Sequence, residues 1–172
     1  MTEPGAIFVG SVLLGLLVWG LVAARYIWPR LQDRPRAEAL RPLLFLHAFR
    51  FAGLAFIVPG VVSPQLPEGF ARPAAYGDLL SSLLALLAIA TLRYRPGIIV
   101  AWAFNIVGAV DLLNAYYQGN RFGIGNDPGL QGATYFIPTV LVPLLLVTHV
   151  LVFVILLRTD KSGHYNTGQV AA

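Results

Sequence analysis

Residues 6–24 of the chain read AIFVGSVLLGLLVWGLVAA, an apolar stretch without a single charged residue. A helix that spans a bilayer needs about 20 mostly apolar residues, and this stretch continues to Trp28 with Arg25 as its first charge. One glutamate and no basic residue precede it, whereas a signal peptide begins with basic residues. We therefore interpret residues 6–28 as a retained membrane-spanning helix.

Four further segments have the composition of a membrane span, at residues 43–62, 76–92, 97–117 and 134–157. Connections rich in proline, glycine or charge separate them, at 29–42, 63–73 and 118–132. The 172 residues are only 12% charged, against about 25% in soluble domains. The sequence thus predicts an all-α integral membrane protein, a five-helix transmembrane bundle over residues 1–158 with a polar, disordered cytoplasmic tail over 159–172.

The positive charges predict the orientation of this bundle. The twelve lysines and arginines divide into nine on one side of the five segments, two on the other side (Arg72 and Arg121) and Arg50 within a span. Cytoplasmic loops carry the excess of Lys and Arg. The N-terminus is therefore predicted outside and the C-terminus in the cytoplasm, in a multi-pass protein of a bacterial inner (plasma) membrane.

Two further patterns predict how the helices pack. Small and polar residues share one face of the third and fourth segments, which indicates close antiparallel contact because small side chains let helices approach in lipid. These faces are Asp78, Ser81, Ser82, Ala85 and Ala88 on the third segment, and Ala101, Asn105, Gly108, Asp111, Leu112 and Ala115 on the fourth. Pro59, Pro138 and Pro143 fall within the second and fifth spans, where proline kinks a helix.

Polar residues inside the spans are the candidates for function, because an ionisable group costs about 2.5–3.5 kcal/mol within a bilayer and usually faces the bundle interior. By helix rise, Arg50 lies about 10 Å and His149 about 12 Å from the cytoplasmic ends of their helices. His47 shares a face with Arg50, and Asn105 lies at a similar depth. Asp111 lies about 10 Å farther out. The predicted ligand-binding residues are His47, Arg50, Asn105, Asp111 and His149.

A purely structural role is the alternative for each of these residues. Arg50 could extend to the cytoplasmic headgroups, and each histidine could join two helices as a neutral ring. Asp78 follows Gly77 at the predicted start of the third helix. We interpret it as a helix cap, since a carboxylate there accepts free N–H groups.

Several functions fit these residues. An arginine matches carboxylate or phosphate geometry, so binding or transport of a small anionic or amphipathic ligand is the leading hypothesis, with no cofactor assigned. Haem b ligated by His47 and His149, an intramembrane enzyme with histidine acid–base chemistry on a lipid-like substrate, and a non-catalytic subunit of a larger membrane complex are the alternatives. The sequence contains no cysteine, which excludes thiol chemistry and cysteine-ligated metals, and we assign no catalytic residue or metal site.

The expected partners follow from the same composition. Membrane lipids surround such a bundle, and a homo-oligomer remains open. No basic run with interleaved aromatic residues occurs, so nucleic acid is not an expected partner.

Overall fold

Five helices account for most of residues 2–94 and 96–158, the part of the chain that this computed structural model describes. They are α1 (Glu3–Leu31), α2 (Arg36–Ile57), α3 (Glu68–Thr91), α4 (Pro96–Arg121) and α5 (Gly132–Leu157). Each is long and apolar enough to cross a membrane, and no β-strand occurs among the described residues. The prediction of five helices is confirmed, and the predicted tail 159–172 lies outside the described residues.

The helix ends differ from the predicted ones where polar residues begin or end a helix. The predicted 43–62 was wrong at both ends, since α2 starts at Arg36 and ends at Ile57, which leaves Pro59 outside the helix. The start predicted at Tyr76 was also wrong, because α3 begins at Glu68. Prolines 35 and 67 directly precede these two helices, where the fixed φ of proline fits a helix start. Hydropathy detects only the apolar part of each helix, so it misses these polar first turns.

The other three helices also extend beyond their predicted ends. α1 is longer than 6–28, α4 continues past 117 to Arg121, and α5 begins at Gly132. Two of them contain a widened π-helical turn, at Ala23–Ile27 in α1 and at Ile137–Leu141 in α5. The turn in α5 contains Pro138, whose carbonyl accepts a hydrogen bond of 2.8 Å from Tyr116 Oη.

Halfway along its length, α2 changes from α-helix to 3₁₀-helix. The 3₁₀ segment Phe49–Ile57 follows the α-helical Arg36–Ala48. With three residues per turn, this segment aligns Arg50, Gly53 and Phe56 in one row, and these are its buried residues. The carbonyl of Ala48 at the change accepts a hydrogen bond of 2.6 Å from Ser82 Oγ on α3. That bond holds the point where α2 changes its helix type against α3.

The tightest helix pair is α3 with α4, which a short turn joins. The predicted small-residue faces are buried, with Ala85 and Ala88 on α3 and Ala101 on α4 in one apolar core. The α3 helix also packs along the 3₁₀ segment of α2. The contact of α3 with α4 agrees with the sequence pattern, whereas the packing of α3 along the 3₁₀ segment was not predicted.

In contrast, α1 lies at the edge of the bundle and packs mainly on α5. The two helices lie close together at Gly15, where an added Cβ would lie 2.9 Å from the carbonyl oxygen of Thr139 and 3.0 Å from Pro143 Cγ. The start of α1 is capped by Thr2, whose Oγ1 accepts from the N–H of Gly5 at 3.2 Å and donates to Asn126 Oδ1 at 2.8 Å.

The connection 118–132, which its five glycines predict to be a long loop with a flexible stretch over 119–125, is folded. It begins as the last turn of α4 and continues in two 3₁₀ turns, Ile124–Asn126 and Pro128–Leu130. Ile124 is buried, and an added Cβ at Gly125 would meet the ring of Phe8. The glycines that suggested flexibility instead permit close packing against the start of α1.

Two apolar cores lie at opposite ends of the bundle. We call the end formed by residues 30–41 and 92–94 the arginine-rich end, and the end formed by residues 2–5, 58–67 and 122–131 the distal end. The larger core, with Leu40, Leu44 and Phe104, lies toward the arginine-rich end. A smaller one, with Phe56 and Phe70, lies toward the distal end. The predicted polar residues lie between them.

Substitution of Gly15 tests the contact of α1 with α5. We expect Gly15→Leu to lower the free energy of unfolding by about 1–3 kcal/mol, because its side chain must displace Pro143 or the α5 backbone. Gly20→Leu is the matched control, since an added Cβ there meets nothing within 4 Å and the gain in helix propensity is the same. Unfolding in mixed micelles by titration with dodecyl sulfate, followed by circular dichroism, measures both. Equal stability of the two variants would contradict the contact.

Candidate functional site

The five residues predicted as a ligand site lie together in the middle of the bundle. With Asp78 and Thr148 they form one connected set of hydrogen bonds and ring contacts, which we call the Arg50 cluster: His47, Arg50, Asp78, Asn105, Asp111, Thr148 and His149. Six of the seven are buried and Asp111 is half-buried. Four of the five helices contribute to it. The convergence follows from the tertiary structure, whereas ligand binding by these residues stays a prediction.

Arg50 is the centre of the cluster and is almost fully buried, with 1% of its surface exposed. Its Nε donates to Asp78 Oδ1 at 2.7 Å, and its Nη2 donates to Asp111 Oδ2 at 2.7 Å. Its Nη1 donates to the carbonyl of Gly108 at 3.1 Å and lies 3.2 Å from His149 Nε2. Four of the five N–H groups of the guanidinium therefore have acceptors, on three different helices. Arg50 does not extend to the headgroups.

Three glycines make the space that these ion pairs occupy. An added Cβ at Gly53 would overlap the Asp78 carboxylate, and one at Gly77 would overlap the Asp111 carboxylate. At Gly108 a Cβ would lie 2.8 Å from Arg50 Nη1. Each glycine thus lets a charged group lie against the backbone of a neighbouring helix. The one-sided row of small residues on α3 and α4 accommodates charged side chains as well as helix packing.

His149 is held in one tautomer by Asn105. The Asn105 Nδ2 donates to the carbonyl of His149 at 3.3 Å, which leaves Oδ1 to face the ring. An amide oxygen can only accept, so His149 Nδ1 carries the proton and donates to it at 2.7 Å. His149 Nε2 then has a free lone pair, which accepts from Arg50. The hydrogen bonds therefore define a neutral His149 that extends the acceptor shell of the guanidinium.

His47 lies on the other side of His149 from Arg50, toward the larger apolar core at the arginine-rich end. Its Nε2 lies 3.0 Å from Thr148 Oγ1, whose hydroxyl also contacts the carbonyls of Leu144 and Leu145 at 3.0 Å. Its Nδ1 is buried without a hydrogen-bond partner among the described residues. The rings of His47 and His149 are 4.2 Å apart between centroids.

This direct contact does not fit haem b. Two axial histidines hold the iron between them, so the porphyrin would have to lie between two rings that already touch. The Nε2 atoms of both residues also have other partners, Thr148 and Arg50. The two histidines are therefore spaced for a polar network and not for a bis-histidine haem.

Asp78 is the member of the Arg50 cluster whose place the sequence did not predict. The cap interpretation was wrong, because α3 begins at Glu68 and Asp78 lies well inside it, paired with Arg50. The separation of about 10 Å between Asp111 and Arg50, taken from helix rise, was also misleading, since the two groups are in contact. The long arginine side chain spans that gap, because its Nη2 reaches Asp111 Oδ2. A carboxylate on the buried face of a helix was the signal that could have identified Asp78.

A cavity of about 470 Å³ lies beside the cluster, toward the distal end. Its walls are mostly apolar and include Phe8 of α1, Phe56 of α2 and Phe70 of α3. Asp78 and Asp111 line it, whereas Arg50 and the two histidines do not. We call this space the distal cavity. A small molecule in the distal cavity could contact the Arg50 cluster through the carboxylates of Asp78 and Asp111.

Comparison with known proteins gives a family. A family model described as "Domain of unknown function (DUF8737)" matches residues 7–157. The chain belongs to this family. The match includes nearly all of the five helices, the whole Arg50 cluster and the distal cavity except for Gly5. No curated protein and no solved structure matches the chain.

In this DUF8737 domain, the hydrogen bonds of the Arg50 cluster enclose the guanidinium. The cluster faces the distal cavity through Asp78 and Asp111. The donors of Arg50 are engaged with Asp78, Asp111, Gly108 and His149, so the guanidinium holds helices together. Within residues 2–94 and 96–158, no group of three or more His, Asp or Glu side chains could hold a metal ion. The accessible oxygens of Asp78 and Asp111 are the groups that remain for a ligand.

Loss of the central cation tests how far the fold depends on it. We expect Arg50→Met to lower the free energy of unfolding by about 3–5 kcal/mol, because two carboxylates would stay buried without their partner. Replacing both acids as well, with Asp78→Asn and Asp111→Asn, should restore part of that loss.

The matched control for this test is Arg72→Met. Arg72 pairs with Glu68 at 3.1 Å, but both side chains are mostly exposed, by 61% and 77%. An exposed pair contributes at most about 1 kcal/mol, so this variant should remain near the parent protein. Unfolding in mixed micelles measures the free energy of unfolding of both variants. Equal losses of stability in Arg50→Met and Arg72→Met would contradict the dependence of the fold on Arg50.

Proposed function

We propose that this chain is a multi-pass membrane protein that binds or transports a small amphipathic molecule in its distal cavity. The observation that carries the proposal is the combination of apolar walls with two carboxylates on one side of a space of about 470 Å³. Ligand sites are typically concave and apolar, with a few precisely placed polar groups. The distal cavity has that composition.

Membrane insertion is supported by the surface of the helices. Large apolar side chains such as Leu14, Leu17, Ile99 and Leu157 are more than half exposed. A soluble monomer exposes few large apolar patches, whereas lipid solvates such side chains. The length and composition of all five helices agree with a bilayer span.

The orientation with the N-terminus outside and the C-terminus in the cytoplasm rests on the positive charges. The arginine-rich end includes Arg30, Arg34, Arg36 and Arg41 within 30–41. Positive charge favours the cytoplasmic side, so the distal cavity would lie in the outer half of the plasma membrane of a bacterium. In that position it would take its ligand from the outer side or from the outer leaflet.

The edge helix α1 supports binding over a purely structural role. Residues Gly5, Phe8, Val9, Val12 and Leu13 line the cavity, yet α1 contributes nothing to the Arg50 cluster. It packs mainly on α5 and on the folded segment around Ile124–Asn126. A helix that borders the cavity but lies outside the ion-pair network can move without breaking that network. This separation suits a site that must admit a molecule.

The alternatives to ligand binding, namely an enzyme or a subunit of a complex, have no comparable structural feature in their favour. A lipid-like substrate would fit the same cavity, but the nearest histidine, His149, is engaged with Arg50 and Asn105 at both ring nitrogens. A role as subunit of a larger membrane complex, or as a homo-oligomer, stays a prediction from size and composition.

Single cysteines test the orientation directly, because the chain contains none. Asp33 and Asp127 are both exposed and lie at opposite ends of the bundle. We expect a membrane-impermeant maleimide to label Asp127→Cys in intact cells and to label Asp33→Cys only after lysis. The reverse pattern would show that the orientation is inverted.

Filling the distal cavity tests the binding function. Ala115 lines the cavity on α4, whereas Ala103 on the same helix is exposed on the outer surface. We expect a small molecule that co-purifies with the parent protein to be lost from Ala115→Phe and retained by Ala103→Phe, because only the first variant occupies the space. Native mass spectrometry and analysis of an organic extract measure occupancy. Equal occupancy in all three proteins would contradict binding in this cavity.

A further inference from the structure

We propose that the ligand of the distal cavity is an organic cation, namely an amine with an apolar body whose ammonium group binds at Asp78 and Asp111. This inference rests on the proposed function, since it names the chemical class of molecule that the same cavity takes. It differs from the anionic ligand that Arg50 suggests in the sequence, because the burial of Arg50 and the exposure of its partners determine which charge a ligand meets.

The charges around the cavity are arranged in two layers. The Arg50 side chain is fully buried, whereas the side chains of Asp78 and Asp111 are 9% and 14% exposed. The guanidinium therefore lies behind the carboxylates, and the described residues that line the cavity include no lysine, arginine or histidine. A molecule in the cavity faces negative charge without a competing positive group.

The net charge of the ion pairs also favours a cation. One guanidinium is shared by two carboxylates, so the ionised group carries one net negative charge. An uncompensated charge in an apolar environment is costly, and buried charges are paired in folded proteins. An ammonium group in the cavity would complete the pairing. Because an ammonium has three N–H donors and no acceptor, it matches a wall of carboxylate oxygen.

Each carboxylate has one oxygen that Arg50 does not use. Arg50 takes Oδ1 of Asp78 and Oδ2 of Asp111, and the second oxygens lie beside Gly53 and Gly77 without a hydrogen-bond partner among the residues that the structure describes. A charge-assisted hydrogen bond to such an oxygen is roughly twice as strong as a neutral one. The ion pairs with Arg50 also keep both carboxylates in fixed positions, so little order is lost on binding.

A second, independent feature of the cavity also requires a donor. Gln131 lines the cavity with none of its surface exposed to solvent. Its Nε2 donates to the carbonyl of Ile124 at 3.4 Å, but its Oε1 has no hydrogen-bond partner within the described part of the chain. A buried acceptor without a donor costs free energy. A hydroxyl or amine on the far side of the ligand would satisfy it once a side-chain rotation turns Oε1 into the cavity.

The remaining walls define the body of the ligand. Phe56 and Phe70 contact each other edge to face at 5.4 Å between ring centroids, and both line the cavity with Phe8. Aromatic rings pack well against another ring or a short hydrocarbon chain. The predicted ligand thus carries its positive charge at one end, an apolar middle and a hydrogen-bond donor at the other end.

Three probes of one shape and different charge test this inference. Phenylbutylamine, phenylbutanol and phenylbutanoate share their apolar body, and isothermal titration with the parent protein in lipid nanodiscs compares their affinities. We expect the amine to bind at least about tenfold more tightly than the alcohol, since hydrogen bonds to charged groups contribute about 1.5–3 kcal/mol. The carboxylate probe should bind most weakly.

Two aspartate variants test whether the preference for the amine depends on the carboxylates of the cavity. Asp111→Asn removes the more exposed carboxylate and should reduce the amine affinity by about 10- to 100-fold while the alcohol affinity stays within about twofold. Asp33→Asn, in an exposed connection at the arginine-rich end, is the matched control and should leave every affinity unchanged. The comparison of the three probes on the parent protein does not depend on the folding of any variant.

The far end of the ligand is tested at Gln131. A phenylbutylamine with a hydroxyl on its ring should bind more tightly than the unsubstituted amine, by about two- to tenfold for a neutral hydrogen bond. Gln131→Leu should abolish this gain and leave the affinity of the unsubstituted amine unchanged. An unchanged gain in Gln131→Leu would overturn the assignment of this acceptor.

The results separate this inference from the function on which it rests. If the alcohol or the carboxylate binds as tightly as the amine and Ala115→Phe abolishes that binding, the cavity is a binding site but the cationic class is wrong. If Ala115→Phe has no effect on any of the probes, the proposed function itself fails. Tight binding of the amine that both Ala115→Phe and Asp111→Asn abolish supports the two proposals together.

Discussion

The buried guanidinium of Arg50 is the constraint on which the arrangement of the helices depends. A charge removed from water needs acceptors within reach, and Arg50 obtains them from Asp78 on α3, Asp111 and Gly108 on α4, and His149 on α5. Apolar helices in lipid have no hydrophobic force that selects their partners. One side chain on α2 thus specifies how α2, α3, α4 and α5 meet.

The backbone is adapted to this requirement at several points. The 3₁₀ segment Phe49–Ile57 places Arg50 and Gly53 in one row against α3, and Ser82 takes up the carbonyl of Ala48 at the change of helix type. A 3₁₀ stretch of this length is unusual. Gly77 and Gly108 then give the carboxylate of Asp111 and the guanidinium room against the helix backbones. The 3₁₀ geometry of α2 and the glycines thus both help to accommodate the ion pairs of Arg50.

The same ion pairs connect stability with the proposed binding. Arg50 is enclosed on all sides by protein, and the two carboxylates that stabilise it line the distal cavity. The helix α1 completes the cavity wall from outside the network, so the cavity and the ion pairs share only Asp78 and Asp111 among the described residues. A ligand at Asp78 and Asp111 would therefore meet a polar wall held by Arg50 on one side and an apolar wall on the other.

By itself, the sequence determined the number of helices, their approximate positions and most members of the Arg50 cluster. These follow from local properties, because an apolar run of sufficient length and a charge within it are visible without any contact. Residues His47, Arg50 and His149 were recognisable for that reason. The polar first turns of α2 and α3 were not, since hydropathy reports only the apolar part of a helix.

Only the tertiary structure decided the pairing of Asp78, the folded state of the segment after α4 and the sign of the charge at the cavity. Asp78 looks like a cap until α3 is seen to begin at Glu68. The segment 118–132 looks like a loop until Phe8 is seen to pack at Gly125 and Thr2 to donate to Asn126. An arginine in a span suggests an anion until its partners are seen between it and the cavity, because the charge that a ligand meets depends on which groups are exposed and not on which are present.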